Sequence, residues 1–140
     1  MGNAQSIRKI NFEDMQYIIK NPNAYILINT LPENQQQCLI PTSLPIHQEE
    51  ERINYYLQNH KNGIRIVIYG KNSNDETIYK KYTQLSKLGF VNVYVYLGGL
   101  FEWLMLQDIY GTEEFSTTSR ELDILKYKPT KILQVPMLEY

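Results

Sequence analysis

The sequence predicts an α/β fold in which a parallel sheet carries helices on both faces. Three short runs are apolar at nearly every position: AYILI at 24–28, IRIVIY at 64–69 and NVYVYL at 92–97. A strand with this pattern is buried on both faces, which is typical of a parallel sheet. Helical patterns lie between and after these runs, and that alternation predicts a three-layer arrangement.

Length and composition indicate one compact domain. The 140 residues are 43% hydrophobic and 21% charged, with a net charge of −1. A chain of this kind can bury a core, and its balanced charge argues against nucleic acid as a partner. Cys38 is the single cysteine, which excludes an internal disulfide, and with two histidines it makes a poor zinc ligand set. No metal and no cofactor are expected.

The first elements follow from capping and periodicity. Asn11 precedes FEDMQYIIK, which is predicted as a helix because Asn is a good N-cap and acidic residues occupy the first turn. Asn21-Pro22 ends that helix. The strand at 24–28 follows, and a loop with three prolines leads to a second helix, HQEEERINYYLQNHK. Residues before Ile10 are expected to lie outside the core.

The second half repeats the strand–helix alternation. The strand at 64–69 precedes a helix, DETIYKKYTQLSKL, that is expected to end at Gly89. The strand at 92–97 leads through two glycines into a short helix that we predict to be amphipathic. Beyond it, one helical turn is expected near 119–126, followed by an extended tail.

The stretch IVIYGKNSND reads as a strand, a tight loop and the start of a helix. In parallel sheets, the loops that follow strands commonly hold the functional site. This loop has no thiol, histidine or arginine; it consists of Gly70, Lys71, Asn72, Ser73, Asn74 and Asp75. These are ordinary turn and capping residues, and Asp75 would itself bind the backbone N–H groups of the loop.

Three stretches resemble the rhodanese-like domain family over about residues 7–110. LINTLPENQQQCLIPTSLPI resembles the family's early strand and its Gly-His-Ile-Pro-Gly-Ala loop, and IVIYGKNSND resembles Tyr-Cys-x-x-Gly-x-Arg-Ser. LGFVNVYVYLGGLFEW is similar to the closing signature Gly-Phe-x-Asn-Val-x-x-Leu-x-Gly-Gly with a Trp four places on. The residues in register are Gly89, Phe90, Asn92, Val93, Leu97, Gly98, Gly99 and Trp103.

The resemblance implies sulfur transfer through a cysteine. At four functional positions, however, this sequence lacks the residue that the family has. Gly70 stands at the place of the cysteine, and Asp75 stands at that of the arginine that would hold an anionic substrate. The Asp and Arg of the earlier strand fall at Asn29 and Leu31. The resemblance therefore predicts a degenerate member with no catalytic residue, acting as a binding or scaffold module. The composition also resembles rhodanese-like proteins of large DNA viruses.

The alternative is a divergent sulfurtransferase or phosphatase-like enzyme that uses Cys38 or another group in the same pocket. Cys38 lies just before LIP, where the family has Gly-His. A lone cysteine with no base or cation beside it is more often a small buried apolar residue. The location of Cys38 relative to the loop at 70–75 discriminates between the two interpretations.

The opening MGNAQS fits the N-myristoylation pattern, with Gly2 as acceptor and Ser6 in the preferred place. One myristoyl chain holds a protein on a membrane only weakly, so a second attachment is usually needed. Arg8 and Lys9 are the nearby basic residues, and no cysteine lies close enough for palmitate.

The chain is thus expected to have three parts: a lipidation segment at 1–6, a rhodanese-like domain at 7–111 and an extension at 112–140 that packs on the domain or trails from it. A protein partner and, through the lipid, a membrane are the expected partners, and nucleic acid is not. The expected location is cytoplasmic, partly at the cytosolic face of membranes.

Overall fold

A computed structural model describes residues 7–133. Over these residues the elements, in chain order, are β1 Arg8–Ile10, α1 Phe12–Lys20, β2 Tyr25–Asn29, β3 Ser43–Leu44, α2 Ile46–Gln58, β4 Arg65–Tyr69, α3 Thr77–Lys87, β5 Asn92–Tyr96 and α4 Gly99–Tyr110, with single 3-10 turns at Glu33–Gln35 and Ile124–Tyr127. The predicted lipidation segment, including Gly2, lies outside the described residues.

The predicted α/β fold with a parallel sheet is confirmed. The strand order is β1-β5-β4-β2-β3, and every pair is parallel. In the central strands Tyr25 lies opposite Arg65, which lies opposite Asn92. The segments that precede strands therefore meet at one edge of the sheet. The segments that follow strands, including the loop at 70–75, meet at the other.

The core has one part on each face of the sheet. On one face, α1 and α4 pack against side chains such as Val67 and Tyr69. On the other, α2 and α3 pack against Ile66 and Ile68. Successive residues of β4 thus point to opposite faces and are buried on both, which explains the continuous apolar run in the sequence. Across the described residues, no helix has both the length and the apolar character needed to span a bilayer.

Two short edge strands correct the sequence prediction. The residues before Ile10 were expected outside the core, but Arg8 and Lys9 belong to β1, which pairs with β5, and Ile7 packs against the α2–α3 layer. Ser43–Leu44 falls in the stretch predicted as a loop, but it pairs with β2. Strands of two or three residues are too short to show an alternating pattern, so local sequence could not indicate them.

The last helix, α4, is apolar around most of its circumference rather than amphipathic as predicted. Trp103 and Leu104 are fully buried, and Phe101 and Leu106 are partly buried. A helix that is apolar on all sides needs cover beyond one sheet face. The segment 115–127 covers part of that surface, whereas Met105, Ile109 and Tyr110 stay exposed.

Within the described part of the extension, residues 115–127 pack on the domain. Phe115 is 4% exposed and Tyr127 is 1% exposed, and both belong to the α1–α4 core. The indole Nε1 of Trp103 donates to Ser116 O at 2.8 Å. Leu39 N–H donates to Thr118 Oγ1 at 3.0 Å, and Thr118 N–H donates back to Leu39 O at 2.8 Å. The helical turn predicted near 119–126 is found as the 3-10 turn that ends at Tyr127.

Candidate functional site

The loop at 70–75 is held by the N-terminus of α4. Leu100 N–H donates to Gly70 O at 2.9 Å, and Phe101 N–H donates to Lys71 O at 2.8 Å. The first N–H groups of a helix have no partner within the helix and carry partial positive charge. Here two of them bind carbonyl groups of the loop, so α4 fixes the loop's position.

Gly99 is required where helix and loop meet. Its φ is +69°, a conformation that favours glycine. A Cβ at this position would also lie 2.7 Å from Gly70 O and 2.8 Å from the backbone N of Asn72. The second glycine of the closing signature therefore allows α4 to approach the loop closely.

Asp75 binds the loop from within. Its Oδ2 accepts a hydrogen bond from Lys71 N–H at 2.8 Å. Its Oδ1 accepts from the N–H of Thr77 at 3.0 Å and from the hydroxyl of Thr77 at 2.6 Å. The carboxylate thus satisfies a donor at the start of the loop and another in the first turn of α3. These are the kinds of donor that would otherwise be available to a bound anion.

The position of Gly70, where the resemblance places a cysteine, is bounded by polar side chains. An added Cβ would lie 2.5 Å from Asp75 Oδ2 and 2.8 Å from Thr30 Oγ1. The Thr30 hydroxyl is itself held in place, since its oxygen lies 2.7 Å from Thr77 Oγ1. A larger residue at Gly70 requires the Asp75 carboxylate to move.

Asn29 and Leu31 stand at the other two positions that differ from the family pattern. Both contribute to the packing of the fold. Asn29 is 1% exposed; its Oδ1 accepts from Leu31 N–H at 3.1 Å, and its Nδ2 donates to Leu44 O at 3.3 Å. It therefore ties the end of β2 to β3. Leu31 is buried in the apolar core with α1 and α4, so it offers no charge for a substrate.

The extension closes over the loop through Asn72. This side chain is 6% exposed; its Nδ2 donates to Tyr127 O at 2.8 Å, and its Oδ1 accepts from Asn74 N–H at 2.8 Å. Sequence reasoning treated Asn72 as a turn residue and missed its contact with the extension. No local signal could have revealed it, because the two partners are 55 residues apart.

An open cleft of about 540 Å³ lies beside the loop. Its walls come from the loop, the start of α3 and the extension, and its charged lining residues are Lys71, Asp75, Glu76, Lys80 and Lys128. Both signs of charge are present, so the cleft is not a purely cationic pocket for an anion. Cys38 is not among the residues that line it.

Cys38 lies under the extension. It is 3% exposed, and its Sγ donates to Ser119 O at 3.4 Å. Burial raises the pKa of the Cys38 thiol above its ordinary value, and the negative charge of Glu121 acts in the same direction. The thiol is therefore protonated at neutral pH, whereas a nucleophile must be a thiolate.

Within residues 7–133, no group of three or more His, Cys, Asp or Glu side chains is placed to hold a metal ion.

Comparisons with known proteins agree on the fold. The family model described as the rhodanese-like domain matches residues 12–106. The BH2092 protein from Bacillus halodurans is 19% identical, with 70% of this chain and 72% of that chain covered and a TM-score of 0.56. The Alr3790 protein from Anabaena sp. is 18% identical, with 84% of each chain covered and a TM-score of 0.56.

A third solved structure, the single-domain sulfurtransferase RDL2 of Saccharomyces cerevisiae, is 13% identical. The match covers 78% of this chain and 98% of that chain, with a TM-score of 0.51. Likeness at such identities concerns the fold alone. No curated protein sequence matches the chain.

Proposed function

The chain belongs to the rhodanese-like domain family, and we propose that it is a non-catalytic member that acts as a binding or scaffold module for a protein partner. The proposal is carried by the contact between Asp75 and the Gly70 position. Sulfur transfer requires a thiolate there, stabilised by backbone N–H groups. Instead, a carboxylate lies beside that position and accepts the Lys71 N–H. Its negative charge would also repel an anionic sulfur donor.

The enzymatic alternative requires another nucleophile in the same pocket. Cys38 is poorly suited to this role, because it is buried beneath the extension and its pKa is raised. It also lies outside the lining of the cleft beside the loop. A cysteine-dependent phosphatase, which acts on this fold through the same loop positions, meets the same difficulty at Gly70 and Asp75. The viral source inferred from composition stays a prediction.

Sulfur transfer from thiosulfate to cyanide is expected to be no faster than a protein-free blank. The reason is that the loop offers glycine where a nucleophile would attack the sulfur donor. Thiocyanate formation measures the reaction, and an active rhodanese run in parallel shows that the assay works. Turnover that disappears in Cys38→Ser would overturn the proposal in favour of the alternative. Turnover that survives the substitution would point to a different group and would equally contradict a binding module.

The module is further proposed to carry myristate on Gly2 and to divide between the cytosol and cytosolic membrane faces. The pattern of Gly2 with Ser6 supports this part of the proposal. A single acyl chain gives an association constant of about 10⁴ per molar lipid, so attachment is partial and reversible. That behaviour would suit a module that brings a partner to a membrane for a limited time.

Co-expression with an N-myristoyltransferase should yield a chain that lacks Met1 and carries one myristoyl group, as read from intact mass. The modified protein should float in part with liposomes, and Gly2→Ala should stay in the soluble fraction. Urea unfolding of the two chains should coincide, because Gly2 precedes the first strand, which begins at Arg8. An unmodified Gly2 under these conditions would remove the anchor from the proposal and leave the binding module intact.

A further inference from the structure

Basic and acidic side chains are distributed differently at the two ends of the strands. Arg8, Lys20, Lys61, Arg65 and Lys87 lie at or just before the starts of strands β1, β2, β4 and β5, and we call this surface the basic edge. The segments that form it, 7–10, 17–25, 57–65 and 86–92, contain no Asp or Glu. Carboxylates instead follow the strands, at or near the starts of α1, α2, α3 and α4.

Hydrogen bonds join the turns of the basic edge into one surface. Val91 N–H donates to Asn62 O at 3.3 Å, and Asn62 Nδ2 donates to Gly89 O at 3.1 Å. Asn92 Nδ2 donates to Gly63 O at 2.7 Å. The turn that follows α2 and the turn that follows α3 are therefore fixed against each other, together with the lysines beside them.

The cations of the basic edge are available to a partner. All five side chains are exposed, and within the described residues none of them takes part in an ion pair. Arg8 donates to Val91 O and lies over the ring of Tyr94, while Arg65 lies 5.7 Å from the ring centroid of Tyr25. These contacts orient the guanidinium groups without neutralising them.

Apolar and aromatic side chains are exposed beside these cations. Val91 is 61% exposed, Leu88 is 43% exposed and Tyr17 is 59% exposed. Side chains of this kind, mixed with Lys and Arg, suit the boundary between lipid headgroups and acyl chains. Ile7, the first described residue, packs next to this surface, so the segment that carries Gly2 joins the domain here.

Carboxylates border the basic edge on one side. Asp108, Glu113 and Glu114 lie around the end of α4, and Gln16 of α1 donates to Glu114 O at 2.9 Å. Their charge weakens the positive potential on the α1–α4 side. The strongest positive potential is therefore expected on the α2–α3 side, around Lys61, Arg65 and Lys87.

From these observations we infer that the basic edge binds an anionic lipid surface and supplies the second attachment that one myristoyl chain needs. This inference rests on the proposed anchor at Gly2. Unpaired cations, exposed apolar groups and the entry point of the acylated segment all lie on one side of the molecule. The exposed apolar groups favour a lipid surface over nucleic acid.

The test compares two triple variants of the myristoylated chain that have the same net charge. One carries Lys61→Gln, Arg65→Gln and Lys87→Gln on the basic edge. The control carries Lys71→Gln, Lys80→Gln and Lys128→Gln beside the cleft at the opposite edge. Binding is measured by sedimentation with phosphatidylcholine vesicles and with vesicles that also contain phosphatidylserine, and circular dichroism confirms that each variant is folded.

Phosphatidylserine should strengthen binding of the wild type and of the control variant. One cation near such a surface contributes about five-fold, so the basic-edge variant should lose roughly 100-fold at low ionic strength. The wild-type increment should also fall steeply when salt is raised from about 0.05 M to about 0.5 M. Equal losses in the two variants, or an increment that is insensitive to salt, would overturn the inference.

Neutral vesicles separate this inference from the anchor. Binding to phosphatidylcholine alone depends on myristate and should be lost in Gly2→Ala. If it is lost, but phosphatidylserine does not strengthen binding of the wild type, the anchor is retained and the basic edge is rejected. Wild-type binding to neutral vesicles that equals that of Gly2→Ala would reject the anchor instead. Tighter binding of the wild type to a short single-stranded RNA than to the anionic vesicles would reject the lipid assignment.

Discussion

A chain shortened to residues 1–111 is expected to lose cooperative unfolding. The cut removes Phe115 and Tyr127 from the core and leaves Trp103 Nε1 without Ser116 O as its acceptor. Removing one buried aromatic side chain costs about 3–5 kcal/mol. Two such losses approach the total of about 5–15 kcal/mol that stabilises a domain. Urea unfolding followed by far-ultraviolet circular dichroism measures the effect.

Matched double variants separate packing from chain length. Phe115→Ala with Tyr127→Ala should lower the free energy of unfolding by about 6 kcal/mol or more. Leu122→Ala with Leu125→Ala changes side chains that are 78% and 61% exposed, and should lower it by less than about 1 kcal/mol. Similar losses in both pairs, or a shortened chain with the full-length midpoint, would mean that the extension contributes little to the core.

Replacing Gly70 by cysteine should give a reactive thiol only if Asp75 is also replaced, in a chain that carries Cys38→Ser. In Gly70→Cys alone, the new thiol lies beside the Asp75 carboxylate, and that negative charge raises the thiol pKa above about 8.5. In Gly70→Cys with Asp75→Arg, the Lys71 N–H is released and a cation is added. Both changes favour thiolate and should lower the pKa into the range of about 3.5–7.5.

Alkylation by iodoacetamide near pH 6.5 should then be roughly 10-fold faster in the double variant than in Gly70→Cys alone. Gly70→Cys with Asp75→Ala is the control: it removes the carboxylate without adding a cation, so its rate should lie between the two. Equal rates in all three folded variants would show that the loop does not stabilise an anion at position 70. Sulfur transfer is not expected, because Asn29 and Leu31 remain.

The central part of the fold could be predicted because its signals are local. The strand Arg65–Tyr69 is apolar at almost every position, and Asn11 caps the helix Phe12–Lys20 with its own side chain. The edge strands β1 and β3 gave no such signal. Each has only two or three residues, and each forms only by pairing with another strand, β5 or β2. The apolar character of α4 is visible in its own residues, but the segment that covers part of the helix follows it in sequence and gave no signal of that packing.

In the candidate site, too, contacts between residues close in sequence could be predicted and contacts between distant residues could not. The contact of Asp75 with the Lys71 N–H joins residues four apart, so capping chemistry could anticipate it. The hydrogen bond of Cys38 joins residues 81 apart, and no sequence pattern fixed which surface would cover the thiol. The basic edge is also invisible in sequence, because its cations converge only when the strands run parallel in the observed order.

Because Trp103 donates a hydrogen bond to Ser116 O in the extension, its fluorescence should respond when the extension undocks. Trp103 is the chain's only tryptophan, its side chain is fully buried, and the rings of Phe115 and Tyr96 meet it at 5.0 Å and 6.2 Å. A shielded indole emits at shorter wavelength than one in water, so its fluorescence reports undocking of the extension. Circular dichroism reports the sheet and helices. Coincidence of the two signals would identify the domain and its extension as one cooperative unit.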